Sequence, residues 1–100
     1  MSFTKDEIQN IVFQALNLIK IIQSNHIVEI RTDNALYTVI GSRSGFVLTE
    51  HFMNKKNVYI QTKEQIIDIV NKLDIQYVKL NRKRPTESVV LYPSVKLTIR

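Results

Sequence analysis

The chain lacks cysteine and has only two glycines, two prolines and two histidines among its hundred residues. Without cysteine there is no disulfide and no thiolate metal ligand, and nothing points to an oxidising compartment. A long apolar run is also missing, because polar residues interrupt the stretch from Ile8 to Ile22. With no basic segment before it, this stretch is expected to be neither a signal peptide nor a membrane span. We therefore expect a cytoplasmic protein without a membrane partner.

What the chain does contain indicates one ordinary folded domain over residues 1–100. The apolar content of 44% is normal for a globular protein, and a hundred residues can bury one core. The hydrophobic pattern predicts a helix, three or four antiparallel strands, a second helix, and two or three further strands. This order has no βαβ rhythm and no repeat. It predicts a single α+β domain, an antiparallel sheet of about five to six short strands with two helices on one face.

Both predicted helices begin at a capping box. Thr4 precedes Glu7 by three residues, and Thr62 stands in the same relation to Gln65. The first helix then carries apolar residues at helical spacing from Ile8 to Ile22. Two residues depart from that stripe and fall on the polar side, which favours a second contact there with a partner chain or with another part of this chain. They are Phe13 and Ile21.

The strands follow from alternation of apolar and polar residues. "HIVEIRT" and "ALYTVI" flank Asp33-Asn34, residue types that suit a hairpin turn. "FVLTEHF", "VYI", "IQYVKL", "SVVLY" and "VKLTI" read as further strands, with a bend or edge at Pro93. A winged-helix arrangement is the alternative, with residues 62–74 as the recognition helix and residues 81–87 as the wing. It requires a helix over residues 46–54, and Val47, Thr49 and Phe52 argue against that.

The positive charge is concentrated in one part of the chain. Residues 1–40 carry three cations and four acids, whereas residues 41–100 carry eleven cations and five acids. Six of these eleven cations fall in predicted turns. If the turns share one end of the sheet, they form a basic rim for phosphate; otherwise they are solvated turn residues. The six are Arg43, Lys55, Lys56, Arg82, Lys83 and Arg84.

Other candidate binding features are weaker. Tyr77 and Lys79 share a strand face, and on an open sheet they can stack on a base and contact phosphate. The aromatic motif of RNA-recognition sheets is absent. "GSRSG" lacks the remainder of a nucleotide-binding fingerprint and is more typical of a hairpin turn.

Catalysis is not indicated. His51 follows Glu50 directly, so in a strand the two side chains point to opposite faces and cannot act together. We find no nucleophile elbow and no helical histidine–carboxylate pair, and we expect no metal, no cofactor and no enzymatic activity.

Two functions therefore remain. The first is a non-enzymatic nucleic-acid-binding accessory protein, DNA or RNA, that contacts the phosphate backbone through basic hairpin tips with weak sequence specificity. The second is a protein–protein interaction subunit or inhibitor that acts on a larger protein through the first helix and a sheet edge. A homodimer through the first helix fits the same features.

Overall fold

The computed structural model of the chain describes residues 4–21, 26–81 and 88–92. These residues form two helices and six strands, bounded as follows: α1 Lys5–Ile21, β1 Ile27–Thr32, β2 Leu36–Ser42, β3 Gly45–Phe52, β4 Lys55–Gln61, α2 Lys63–Asn71, β5 Ile75–Asn81 and β6 Ser88–Tyr92. In these ranges neither helix has the length and apolar character needed to span a bilayer. The predicted strand "VKLTI" lies outside the described residues.

Both predicted capping boxes are present. The Thr4 N–H donates to Glu7 Oε1 at 2.8 Å, and the Glu7 N–H donates to Thr4 Oγ1 at 3.1 Å. The Thr62 N–H donates to Gln65 Oε1 at 2.8 Å, and the Gln65 N–H donates back to Thr62 Oγ1 at 3.1 Å. Each box satisfies two backbone N–H donors at a helix start, so both helices begin where the sequence predicts.

All six strands form one antiparallel sheet in the order β4-β3-β2-β1-β5-β6. Strands β1 to β4 are consecutive hairpins. The chain then crosses through α2 and returns beside β1, so β5 pairs with the first strand rather than with the fourth. The prediction of a small α+β domain with an antiparallel sheet is confirmed. Of residues 46–54, which the winged-helix alternative needs as a helix, residues 46–52 belong to strand β3.

The turn between β3 and β4 is shorter than expected. Met53 and Asn54 have φ of 50° and 65°, and two residues in this left-handed region close an antiparallel hairpin with no further loop. The prediction that Lys55 and Lys56 fall in a turn was therefore wrong. Lys55 and Lys56 belong to strand β4, where they pair with β3.

The core lies between the two helices and one face of the sheet. Leu16 and Val12 of α1 and Ile66 of α2 pack against Val28 and Val39 of the sheet, each with at most 1% of its surface exposed. The opposite face of the sheet carries neither helix. Its side chains are those that alternate with the buried ones, and we call it the open face.

Candidate nucleic-acid interface

The open face brings together cations and rings from four of the strands. Cross-strand pairing forms a first row across the sheet, which runs Tyr77, Arg31, Leu36, His51 and Lys56 from β5 to β4. A second row beside it runs Lys79, Glu29, Thr38, Thr49 and Val58. Residues directly opposite in antiparallel strands lie about 5 Å apart at Cβ. Three cations, one tyrosine and one histidine therefore share a single surface.

Glu29 is the one carboxylate in these two rows, and its oxygens are occupied. Tyr77 donates its hydroxyl to Glu29 Oε2 at 2.7 Å, and Asn81 donates Nδ2 to Glu29 Oε1 at 2.6 Å. Lys79 is opposite Glu29 in the pairing of β1 with β5. These two hydrogen bonds hold the Glu29 carboxylate on the open face, and the positive charge of Lys79 partly offsets its negative charge.

The Tyr77 ring is held between two charges. Lys79 Nζ is 4.7 Å from the centre of the ring, a cation–π distance. The hydrogen bond to Glu29, together with burial and the Glu29 charge, raises the pKa of Tyr77, while Arg31 opposes this shift. The hydrogen bond to Glu29 and the lysine contact position the ring, and a neutral phenol suits stacking on an unpaired base.

At one end of the open face the surface forms a shallow cleft of about 580 Å³ beside the β3–β4 turn. It combines basic groups with apolar ones. Its basic and imidazole side chains are Arg31, His51, Lys55 and Lys56, and its apolar lining comes from Leu36, Phe52 and Met53. Such a mixture suits a ligand that has both anionic and flat apolar parts.

The open-face cations are free of carboxylate partners among the described residues. The one ion pair within the described ranges joins Lys72 to Asp68 on α2, at 3.4 Å. Most described acids instead lie on the helix side or on the turns, and both helices have acids in their first turn. The open face therefore has a net positive charge among the described residues, whereas the lysines of the helices are accompanied by acids.

The structure divides the six predicted tip residues. Arg43 is exposed in the two-residue turn between β2 and β3. Lys55 and Lys56 stand at the opposite end of the sheet, because β4 begins where β3 ends. Arg82, Lys83 and Arg84 lie outside the described residues. They belong to segment 82–87, which joins Asn81 of β5 to Ser88 of β6. Asn81 and Ser88 are at the same end of the sheet as Arg43.

The residues predicted for a protein partner lie on the helix side. Phe13 is 41% exposed, and Lys63 Nζ is 4.3 Å from the centre of its ring. Lys63 also donates to Asn17 Oδ1 at 2.8 Å, which holds it over the ring. The second contact expected for Phe13 is thus made within the chain. Ile21 is the last residue of α1, and its side chain is outside the described ones.

Two residues of the site were not proposed as binding residues from the sequence. Arg31 and His51 line the cleft, and Arg31 is directly opposite Tyr77. The alternation in "HIVEIRT" placed Glu29 and Arg31 on one face, which was the available signal. The residues of β5 that lie beside Glu29 and Arg31 are brought there by a strand pairing that the sequence does not reveal.

Catalytic groups do not converge in the described part of the chain. Glu50 faces the helices, where it accepts from the Tyr37 hydroxyl at 3.0 Å, whereas His51 is on the open face. Within the described ranges no three histidine or acidic side chains cluster as a metal site would require.

Comparison of the chain with protein-family models, with curated proteins and with solved structures finds no match.

Proposed function

We propose that this chain is a non-enzymatic accessory protein that binds single-stranded nucleic acid on the open face of its sheet. Arg31, Lys56 and Lys79 contact backbone phosphates, and the Tyr77 ring stacks on a base. The observation that carries the proposal is the separation of charge: among the described residues, cations without a carboxylate partner and the Tyr77 ring share the face that the helices leave open, while most acids lie elsewhere.

A single strand fits this surface better than a duplex. A strand with unstacked bases can lie across a sheet and place bases against rings and apolar side chains. The cleft beside the β3–β4 turn offers both kinds of contact, because Leu36 and Phe52 line it together with Lys56. Sequence preference is weak, because stacking and phosphate contacts read little base identity.

The test is fluorescence anisotropy of labelled single-stranded and duplex oligonucleotides over a series of salt concentrations. Each phosphate contact to a single strand contributes about −0.7 to the slope of log K against log salt, so three cations give about −2. Lys56→Ala and Lys79→Ala should each weaken binding and reduce that slope by about 0.7. The matched control is Lys72→Ala, which removes the same charge from the exposed side of α2.

Two substitutions of Tyr77 test base stacking. Tyr77→Phe keeps the ring and loses the hydroxyl, whereas Tyr77→Leu loses the ring. Stacking is worth about 1–3 kcal/mol per base, so Tyr77→Leu should weaken binding at least about fivefold more than Tyr77→Phe. Absence of binding at low salt, or equal effects of Lys56→Ala and Lys72→Ala, contradicts the proposal.

Protein binding through the first helix, the second sequence-based interpretation, has less support. Its motivating residue Phe13 already contacts Lys63 of the same chain.

A further inference from the structure

A third row of the open face consists mainly of aliphatic side chains. The register of β1 with β2 places Ile27 beside Ile40, one position beyond the Val28–Val39 pair. Pairing of the other strands extends this row to Asn81 on β5 and to Val47 and Ile60 on β3 and β4. Val58 of the second row adjoins it, two positions from Ile60 on β4. We call the aliphatic residues of this group the aliphatic patch: Ile27, Ile40, Val47, Val58 and Ile60.

The aliphatic patch is exposed to solvent because the helices lie on the other face. Ile40, Val58 and Ile60 expose 42%, 57% and 66% of their surface. Ile27 and Val47 are half-buried between neighbouring strands. Single exposed apolar residues are ordinary on a protein surface, but a contiguous group on one face indicates a contact surface.

Cations border the aliphatic patch on two sides. Lys56 is two positions before Val58 on β4, about 7 Å along the strand. Lys79 is diagonal to Ile27 across the pairing of β5 with β1, which corresponds to about 7–8 Å. The third row itself holds no acid. An occupant of this surface therefore has to offer negative charge close to neutral, apolar groups.

A nucleotide has both parts, since its sugar separates a charged phosphate from an uncharged base. A single strand whose phosphates are held by Lys56 and Lys79 can place bases over the aliphatic patch. Isoleucine and valine side chains have no ring for stacking and no polar atom for a hydrogen bond. The part of a base that suits such side chains is the C5 methyl group of thymine, which apolar residues contact in protein–DNA recognition.

We propose that the aliphatic patch binds thymine bases, so that the open face prefers thymine-rich single-stranded DNA. This inference rests on the proposed function and adds the class of ligand to it. RNA carries uracil, which lacks the methyl group, so the contact favours DNA over RNA. The preference is for base composition rather than for an ordered sequence, because the aliphatic patch makes no hydrogen bonds to base edges.

The test compares oligothymidylate with oligodeoxyuridylate of equal length by fluorescence anisotropy over a series of salt concentrations. The two ligands differ only in the methyl groups. One methyl group removed from water, or two that are half removed, contributes about fourfold in affinity. Oligothymidylate should therefore bind about fourfold more tightly or better at each salt concentration. Its slope of log K against log salt should equal that of oligodeoxyuridylate, because the methyl group carries no charge.

Substitutions in the aliphatic patch locate the thymine contact. Ile40→Thr and Ile60→Thr keep a β-branched side chain that suits a strand, and each should reduce the thymine preference at least about twofold. The salt slope for oligodeoxyuridylate should not change, which shows that these variants are folded and still bind phosphate. The matched control is Leu18→Gln, which removes a 41% exposed aliphatic side chain from α1 and should leave the preference intact.

The outcomes distinguish this inference from the proposed function. Equal affinities for the two ligands, with the expected salt slope, overturn the thymine contact and leave phosphate binding intact. Absence of binding to either ligand at low salt overturns both. A thymine preference that Ile40→Thr and Ile60→Thr reduce no more than Leu18→Gln does overturns the assignment to the aliphatic patch. Equal affinities in a protein whose mass doubles with concentration would assign the patch to a second copy instead.

Discussion

Removal of the Glu29 charge should strengthen nucleic-acid binding. Glu29 is the carboxylate of the two open-face rows, and its neighbours in the site are Arg31, Tyr77 and Lys79. Glu29→Gln preserves shape, and the new amide oxygen can accept from Asn81 while the tyrosine hydroxyl bonds to either amide atom. The fold should therefore be retained while one negative charge leaves the site.

The size of the effect follows from Coulomb's law. A phosphate held by a neighbouring cation is about 8 Å from Glu29, where two unit charges in water interact by about 0.5 kcal/mol. Two such phosphates give about 1 kcal/mol, which is about a fivefold gain in affinity. The gain should be largest at low salt, because screening reduces it as ionic strength rises.

The assay is anisotropy with a single-stranded oligonucleotide at low salt, with Glu64→Gln as the control. Glu64 is exposed in the first turn of α2, so its neutralisation changes net charge equally without touching the open face. The ultraviolet titration of Tyr77 gives a second readout. Its pKa is raised chiefly by the hydrogen bond to Glu29 and should fall back toward the ordinary value in the variant. Equal affinities of Glu29→Gln and Glu64→Gln for the oligonucleotide would refute the proposal that nucleic acid binds on the open face.

Two further predictions concern stability. Burial, together with the hydrogen bond to Glu50, raises the pKa of Tyr37 from its usual 10.0 to about 12. The stabilisation linked to this shift is complete below pH 10 and disappears as pH rises toward 12; because Tyr37 is partly exposed and solvent screens its contacts, we expect a loss of about 1 kcal/mol. Urea unfolding across this range should therefore show a steeper fall for wild type than for Tyr37→Phe, and parallel curves would contradict it. Thr62→Ala removes the α2 cap and should lower the free energy of unfolding by about 1 kcal/mol in the same assay at neutral pH; no measurable loss would show that the capping box does not stabilise the helix.

Local features were predictable from the sequence. Capping boxes act over three residues and hairpins over a few more, so Thr4 with Glu7 and Asp33 with Asn34 could be interpreted directly. The faces of β3 also followed from alternation, with Phe46 and Leu48 inward.

Features that depend on distant pairing were not predictable. The open-face cluster needs β5 beside β1, and no short-range pattern specifies that neighbour. A register shift between Arg31 and Thr32 also separates Ile75 from Tyr77, although residues two apart in a regular strand share a face. Ile75 packs against the core instead. The positive φ of Met53 could not be predicted either, because methionine is not a residue type that is typical of a left-handed turn.

The pairing of β1 with β5 has a consequence for how the chain folds. Strands β1 to β4 meet their neighbours through short hairpins, whereas Glu29 and Lys79 are opposite each other yet fifty positions apart in the sequence. Closing such a long loop costs entropy before any contact offsets it, so this pairing is expected to limit the folding rate. Because its lining residues belong to the hairpin strands, the cleft beside the β3–β4 turn can form early in folding. The half of the open face that holds Tyr77 is then completed only when the last long-range pairing forms.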